Sequence, residues 1–154
     1  MEFHTKLILH PTDFSDNSIK ALKAAVEFLS IPKTRLVVLH VSEPHAFKGN
    51  ITNGELKGEE KARAESSSQE MDNFLKKCFG TNMPLPLPEK IIQLNSIVYK
   101  GILDYIVKSD PFMVVIGQKG HSKLPHLGMG SNTKHLIEKS TCPVLVIPAH
   151  FQPE

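Results

Sequence analysis

Glycines in the second half of the chain have the spacing of a loop that binds phosphate. The loop contains, in order, Gly117, Gly120, Gly130 and Ser131. The apolar run Met113–Ile116 precedes it as a buried strand, and residues 133–139 follow it as the opening of a helix. This order lets backbone N–H groups and the positive end of a helix dipole face an anion. Glycine suits such a loop because no Cβ blocks the phosphate and because turns need positive φ. The sequence therefore predicts a site for a phosphorylated ligand.

The start of the following helix adds hydrogen-bond donors to this loop. Gly130, Ser131 and Asn132 offer backbone N–H groups there, and Ser131 also offers a hydroxyl. The alternative is that the glycines only turn the chain between a strand and a helix.

Lysines near the glycine loop could neutralise phosphate charge. They are Lys119, Lys123 and Lys134, of which Lys134 is more simply an ordinary surface lysine. The G-x4-G-K-[ST] sequence is missing, and with it the lysine and hydroxyl of P-loop hydrolases. Asp13 could hold Mg²⁺ through a ligand phosphate, although no second carboxylate is clearly placed to help.

Asp13 is the acidic candidate, because it lies just beyond the apolar run Lys6–His10. Its carboxylate could accept a hydrogen bond from a ribose hydroxyl or an exocyclic amine. The alternative is a loop residue that bonds its own backbone two residues on, or that caps the first helix. The nearby glycine loop favours the ligand role.

Eight histidines are many for this length, and four of them could meet near the glycine loop. His10 and His40 end the first two apolar runs, whereas His121 and His126 lie within the loop. Converging imidazoles could form a transition-metal site or a proton-transfer site. No pair has the i, i+4 spacing of a helical zinc motif, so no metal ligand is assigned.

Strands and helices alternate along the chain in the order βαβαβαβαβ. The predicted strands cover residues 6–10, 35–41, 89–94, 112–116 and 142–148. Ser15 can cap the first helix, a loop is expected over 42–57, and the next helix over 58–79. Strands that are apolar on both faces predict an α/β fold, a single doubly wound five-stranded parallel sheet with helices on both faces. If the two polar loops flank the reversal of strand order, the order is 3-2-1-4-5.

The length of 154 residues allows one domain, placed at residues 1–150, with a short tail at 151–154. A net charge of +2 without a dense basic tract argues against nucleic acid as a partner. The apolar runs are too short to cross a membrane. Cys78 and Cys142 lack C-x-x-C spacing, and a reducing cytoplasm is the expected compartment.

Three patches of the chain resemble the universal stress protein family, in its nucleotide-binding branch. They are Leu7–Ser15, Ile102–Gly117 and Gly120–Val146. Together with the order of elements, they extend over nearly the whole domain. The complete spacing G-x2-G-x9-G-S between a strand and a helix is a fairly specific signal, whereas G-x2-G alone would be weak.

The resemblance implies a site for ATP, or another adenine nucleotide, with or without Mg²⁺. In that family the glycine loop cradles the phosphates, Pro11 and Thr12 line the adenine pocket, and the backbone at Val41 meets adenine. The residues assigned to the cofactor are Pro11, Thr12, Asp13, Val41, Ile116, Gly117, Gly120, Gly130, Ser131 and Asn132. The resemblance also implies a homodimer through the last strand, Val144–Ile147.

The chain departs from the family pattern at several positions. His10 stands where an aliphatic residue is usual, so the pocket floor is expected to differ. Ser96 replaces a usual glycine and is expected to cap the third helix. Phe112 replaces a usual aspartate and is expected to add apolar burial, and Asn132 replaces a smaller or β-branched residue.

Three functions are compatible with these residues. The favoured one is an ATP-binding regulatory module, because a phosphate cradle is present without a recognisable base. A slow ATPase or adenylate-converting enzyme would use Asp13 or a loop histidine as base. A dimeric interaction scaffold would hold no nucleotide.

Overall fold

The computed structural model describes residues 4–44, 53–121 and 128–154, with the side chains of 53–56 left aside. Within these residues, five strands alternate with four α-helices. The strands are β1 (Lys6–Pro11), β2 (Thr34–Ser42), β3 (Glu89–Leu94), β4 (Met113–Gly117) and β5 (Val144–Ile147). The helices are α1 (Asp16–Glu27), α2 (Asn53–Phe79), α3 (Val98–Ser109) and α4 (Ser131–Lys139). A 3-10 turn at Phe28–Ser30 follows α1.

The strands form one parallel sheet in the order β3-β2-β1-β4-β5, which confirms the predicted fold class and strand order. β1 lies at the centre, with Ile8 opposite Leu36 of β2 and Met113 of β4. The chain therefore leaves β1 in one direction for β2 and returns on its other side as β4. The carboxyl ends of β1 and β4 open a crevice between them, where doubly wound sheets bind ligands.

Helices cover both faces of this sheet because its strands are apolar on both sides. On one face, Ile8 and Val38 pack against α1 and α2. On the other, Leu9 and Val37 pack against α3 and α4. The exposed surface of all four side chains is 1% or less, so the central strands form the core that holds the crevice in place.

α2 begins at Asn53, five residues before the predicted start at Gly58, so the loop expected over 42–57 is wrong for residues 53–57. Residues 45–52 lie outside the described part of the chain. Gly54 and Asn53 are loop signals, but a single glycine costs a helix only about 1 kcal/mol. The Glu and Lys residues that follow favour helix and offset this cost. No helix in the described segments is both long and apolar enough to span a membrane.

Two expectations at the second half of the sheet are wrong. Ser96 does not cap α3: the N-cap residue is Ile97, and the side chain of Asn95 accepts its N–H at 2.9 Å. Phe112 is not buried, since it is 50% exposed and its ring contacts the ammonium of Lys6. Pro111 fills the buried position at the entry of β4 instead.

Candidate functional site

A cavity of about 300 Å³ lies at the carboxyl ends of β1 and β4, where the strand order reverses. All ten residues that the sequence assigned to the cofactor line it. Five residues that were not assigned to the site from the sequence also line it: Ser18, Leu39, Val98, Ile102 and Thr133. The structure thus brings the loop after β1 and the glycine loop after β4 around one space.

One end of the cavity is an apolar slot. Leu39 and Val41 of β2 face Val98 and Ile102 of α3, which are spaced i, i+4 on one side of that helix. Gly101 makes this close approach possible, because a Cβ there would lie 2.8 Å from the Val41 Cγ1 atom. Nothing in the sequence indicated that part of α3 faces a cavity. The slot is suited to a flat apolar ring.

The other end of the cavity is the N-terminus of α4. Gly130 is the N-cap residue and has no side chain to bond the first-turn N–H groups, which leaves those groups available to an anion. The Thr133 hydroxyl donates to the Gly117 carbonyl at 2.9 Å, and the Gly130 N–H donates to the Gln118 carbonyl at 2.8 Å. These bonds fix the start of the helix against the end of β4.

The glycines of the loop matter because they lack a side chain, and not because they adopt a positive φ. Among the described glycines only Gly80 has a positive φ, so that part of the expectation is wrong for Gly117, Gly120 and Gly130. At Gly120 a Cβ would lie less than 3.0 Å from the Asp13 carboxylate. At Gly117 it would lie 3.1 Å from the Asn17 carbonyl oxygen. A side chain at Gly120 would displace the Asp13 carboxylate, and one at Gly117 would press on the first turn of α1.

Asp13 joins the two loops through its carboxylate. Oδ1 accepts from the N–H of Ser15 at 3.0 Å, which is the backbone bond that the sequence offered as the alternative to a ligand role. Oδ2 accepts from the N–H of His121 at 2.9 Å, and the His121 ring donates to the Asp13 carbonyl. Each carboxylate oxygen keeps a lone pair that a ligand could use. The cap of α1 is Ser15, as predicted.

The turn that carries Asp13 continues into a left-handed residue, Phe14, with φ of 65°. This conformation is unfavourable for a side chain other than glycine, so the surroundings must hold it. Thr12 Oγ1 accepts the Phe14 N–H at 3.0 Å, and the Phe14 ring stacks on His40 with centroids 4.2 Å apart. The His40 Nδ1–H donates to the Thr12 carbonyl at 2.8 Å. Nothing in the sequence indicated this strained turn.

His10 and His40, two of the four candidate histidines, hydrogen-bond to other protein groups. His10 is buried behind the cavity and bonds the Val115 carbonyl and the Ser18 hydroxyl, and His40 bonds backbone. Burial lowers the pKa of both, to about 4 for His10. In the segments that the structure describes, no three His, Cys, Asp or Glu side chains are grouped as metal ligands. His126 and Lys123 lie outside those segments. His10 does not line the cavity, and it reaches the lining only through its hydrogen bond to Ser18.

Lys119, within the glycine loop, lines the cavity, whereas Lys134 is exposed on α4 and does not line it. This placement agrees with the interpretation of Lys134 as a surface lysine. The helix dipole and Lys119 thus supply positive charge on this side of the cavity, and the Asp13 carboxylate supplies negative charge beside the glycine loop.

Known proteins match this chain along most of its length. Universal stress protein MJ0577 of Methanocaldococcus jannaschii is 28% identical over 155 residues, covering 92% of this chain and 94% of its own. Universal stress protein YxiE of Bacillus subtilis is 30% identical, covering 88% and 93%. The solved structure of universal stress protein UspA from Lactobacillus plantarum has a TM-score of 0.74 at 23% identity, covering 95% and 99%.

Two solved structures of the same fold contain nucleotides. A universal stress protein from Archaeoglobus fulgidus in complex with dAMP has a TM-score of 0.54 at 19% identity, covering 96% of this chain and 99% of its own. A universal stress protein in complex with cAMP has a TM-score of 0.60 at 17% identity, covering 92% and 96%. The model of the universal stress protein family matches residues 4–148. This chain belongs to the universal stress protein family.

Proposed function

We propose that this chain binds an adenine nucleotide in the cavity between β1 and β4, and that ATP is the favoured ligand. We further propose that it acts as a cytoplasmic, dimeric regulatory module in a stress response. The observation that carries the proposal is the shape of that cavity. An apolar slot between β2 and α3 adjoins the open N-terminus of α4. A base fits the first and phosphates fit the second.

The ten residues assigned from the sequence support this orientation. Val41 and Ile116 would contact the base, and Asp13 would accept from a ribose hydroxyl. Backbone N–H groups from Gly130 to Asn132 would bind phosphate, with Lys119 adding charge. The dAMP and cAMP complexes of structurally similar proteins support an adenine nucleotide as the ligand class.

Mg²⁺ would be held by the phosphates more than by the protein. Asp13 is the nearest carboxylate, and both its oxygens already accept backbone N–H groups. The described residues offer no second carboxylate in the cavity lining. We therefore expect that ATP binds with similar affinity with and without Mg²⁺.

Titration of the purified protein with ATP by calorimetry tests binding directly. A ligand at a hundredfold excess over Kd raises the free energy of unfolding by about 2.7 kcal/mol, so the melting temperature should also rise visibly. Absence of both effects, and of any nucleotide in native mass spectra of the protein as purified, would favour a scaffold without nucleotide.

A slow ATPase is the second candidate, because Asp13 lies in the cavity beside the glycine loop. Release of phosphate from ATP by the wild type should be compared with Asp13→Asn. We expect release no faster than in a protein-free control. Measurable turnover that Asp13→Asn abolishes while ATP still binds would replace the regulatory proposal with the enzymatic one.

A further inference from the structure

The proline that ends β1 leaves a carbonyl of β4 without its usual donor. β1 and β4 pair in parallel as far as Leu9 and Val114. One step further, His10 stands opposite Val115, and parallel pairing directs the Val115 carbonyl to the backbone nitrogen of residue 11. Pro11 has no N–H to donate. The His10 ring supplies the donor instead, with Nδ1 2.8 Å from the Val115 oxygen.

A chain of hydrogen bonds leads from this carbonyl to the cavity wall. His10 has no exposed surface, and burial lowers its pKa to about 4, so its ring is neutral at pH 7. Because Nδ1–H donates to the carbonyl, Nε2 must accept, and its partner at 3.2 Å is the Ser18 hydroxyl. The Ser18 oxygen accepts from the Thr12 hydroxyl at 2.6 Å. Thr12 Oγ1 in turn accepts the N–H of Phe14 at 3.0 Å.

Every bond in this series of hydrogen bonds has one direction, because the Val115 carbonyl at one end can only accept and the Phe14 N–H at the other end can only donate. The hydroxyl hydrogens of Ser18 and Thr12 are both used inside the protein. Both residues line the cavity. Wherever their oxygens meet a ligand, they can therefore only accept a hydrogen bond.

We propose that His10 is a positioning residue for ligand specificity: it turns the Ser18 and Thr12 hydroxyls into a wall of acceptors that selects a ligand edge able to donate. For a purine in the adjoining apolar slot, that edge is the exocyclic amine of adenine. A purine with an oxygen at C6 presents a hydrogen-bond acceptor at this edge. It would face the acceptor oxygens of Ser18 and Thr12 without a hydrogen to share. This inference rests on the proposed nucleotide site and adds the reason for its choice of base.

Inosine triphosphate is the probe, since it carries an oxo group where ATP carries the amine. Its Kd and that of ATP should be measured by calorimetry for the wild type, His10→Leu and Ser18→Ala. Either variant frees the Thr12 hydroxyl to turn toward the ligand and donate. We expect the ratio of the two affinities to fall about tenfold in both variants, the worth of roughly one hydrogen bond.

The matched control is Ile8→Val, which trims the same face of the same strand and the same core cluster but removes no hydrogen-bonding group. Its affinity ratio should stay within about twofold of the wild type. If His10→Leu does not fold, Ser18→Ala still tests the wall, because alanine is a good helix residue at this position of α1. An unchanged ratio in a folded variant overturns the proposal.

The tautomer of His10 gives a readout that needs no ligand. A two-bond ¹H–¹⁵N correlation spectrum should show His10 protonated on Nδ1 and unprotonated on Nε2 at neutral pH, assigned by the signal lost in His10→Leu. A ring protonated on Nε2 overturns the chain of bonds. A protein with the expected tautomer that binds neither nucleotide overturns the nucleotide proposal instead, so the two failures are distinguishable.

Discussion

Gly120 is the residue at which one added methyl group should disturb the cavity most. Its Cα faces the Asp13 carboxylate so closely that a Cβ has no room. In Gly120→Ala, we expect the carboxylate to move and the bond between Oδ2 and the His121 N–H to break. ATP affinity measured by calorimetry should fall tenfold or more, and the free energy of unfolding by about 1–3 kcal/mol.

Gly128 provides the control for this substitution. It belongs to the same loop, yet a Cβ built on it meets nothing within 4 Å. Gly128→Ala should therefore leave the Kd for ATP and the melting temperature close to those of the wild type. Equal losses in the two variants would mean that the loop tolerates no side chain at all, and that the contact with Asp13 is not the cause.

Lys119 is the cavity residue whose charge can be tested without changing the backbone. Its ammonium is expected to pair with ligand phosphate, so Lys119→Gln should weaken ATP more than adenosine, by roughly 1 kcal/mol for a partly exposed pair. Lys134→Gln removes the same charge from the exposed face of α4. Equal losses of ATP affinity in the two variants, measured by calorimetry, would mean that Lys119 acts only through general electrostatic attraction.

At the scale of elements, the sheet could be predicted because its strands are short, apolar runs with polar loops after the first and the fourth. That pattern fixed the reversal point and hence the strand order. Helix boundaries were less accessible: α2 extends into Asn53 and Gly54, whose residue types are typical of loops. Local signals of this kind compete with the propensity of the residues that follow.

The details of the site that sequence could not supply all depend on contacts between distant segments. The bond from His10 to Val115 joins residues 105 positions apart. The left-handed Phe14 is held by its stack on His40, and α3 reaches β2 through Gly101. None of these contacts leaves a periodic signal. By contrast, the ten assigned residues lie at the ends of three strands, in the loops after β1 and β4 and in the first turn of α4, and motif spacing is informative for most of these places.

β5 is the element through which we expect two copies of the chain to associate. Among the described strands it pairs only with β4 and forms one edge of the sheet, and Leu145 is 37% exposed. Val114 donates to the Pro143 carbonyl and Gln118 to that of Ile147, so the N–H of Val146 points to the open edge. An antiparallel partner strand would use this donor.

Val146→Pro removes that outward donor while leaving the bonds to β4 in place, since proline is tolerated on an edge strand. We expect the mass measured by light scattering to change from dimer to monomer. Val146→Thr keeps the N–H and a β-branched side chain, and should remain dimeric. A Val146→Pro protein that stays folded and dimeric would place the interface elsewhere.

For the whole molecule, the buried His10 predicts how stability changes with pH. Its pKa is about 4 in the folded chain against an ordinary value of 6.5, so the unfolded chain binds the proton more readily. Its contribution is therefore fully present above pH 6.5 and is lost as pH falls toward 4, on the order of 3 kcal/mol in total. The lowered pKa of His40 changes stability with pH in the same direction. The charge of Asp13 raises the pKa of both histidines and so opposes the effect.

Urea unfolding at several pH values between 7 and 4 measures this dependence. In His10→Leu the free energy of unfolding should be lower at pH 7 and should change less steeply over the same range. Carboxylates contribute to acid sensitivity in both proteins, so the difference between the two slopes is the informative quantity. Parallel curves would show that the folded and unfolded proteins take up the same number of protons at His10 over this range, which would contradict the lowered pKa.

The central position of β1 also has a consequence for how the chain is made. Its partner β2 follows within a few dozen residues, but β4 and the carbonyl that His10 bonds come 105 residues later. At a synthesis rate of about 5–20 residues per second, the growing polypeptide spends roughly 5–20 seconds with that flank of the strand uncovered. Newborn copies of this protein should thus be most vulnerable to aggregation and to capture by chaperones during translation itself.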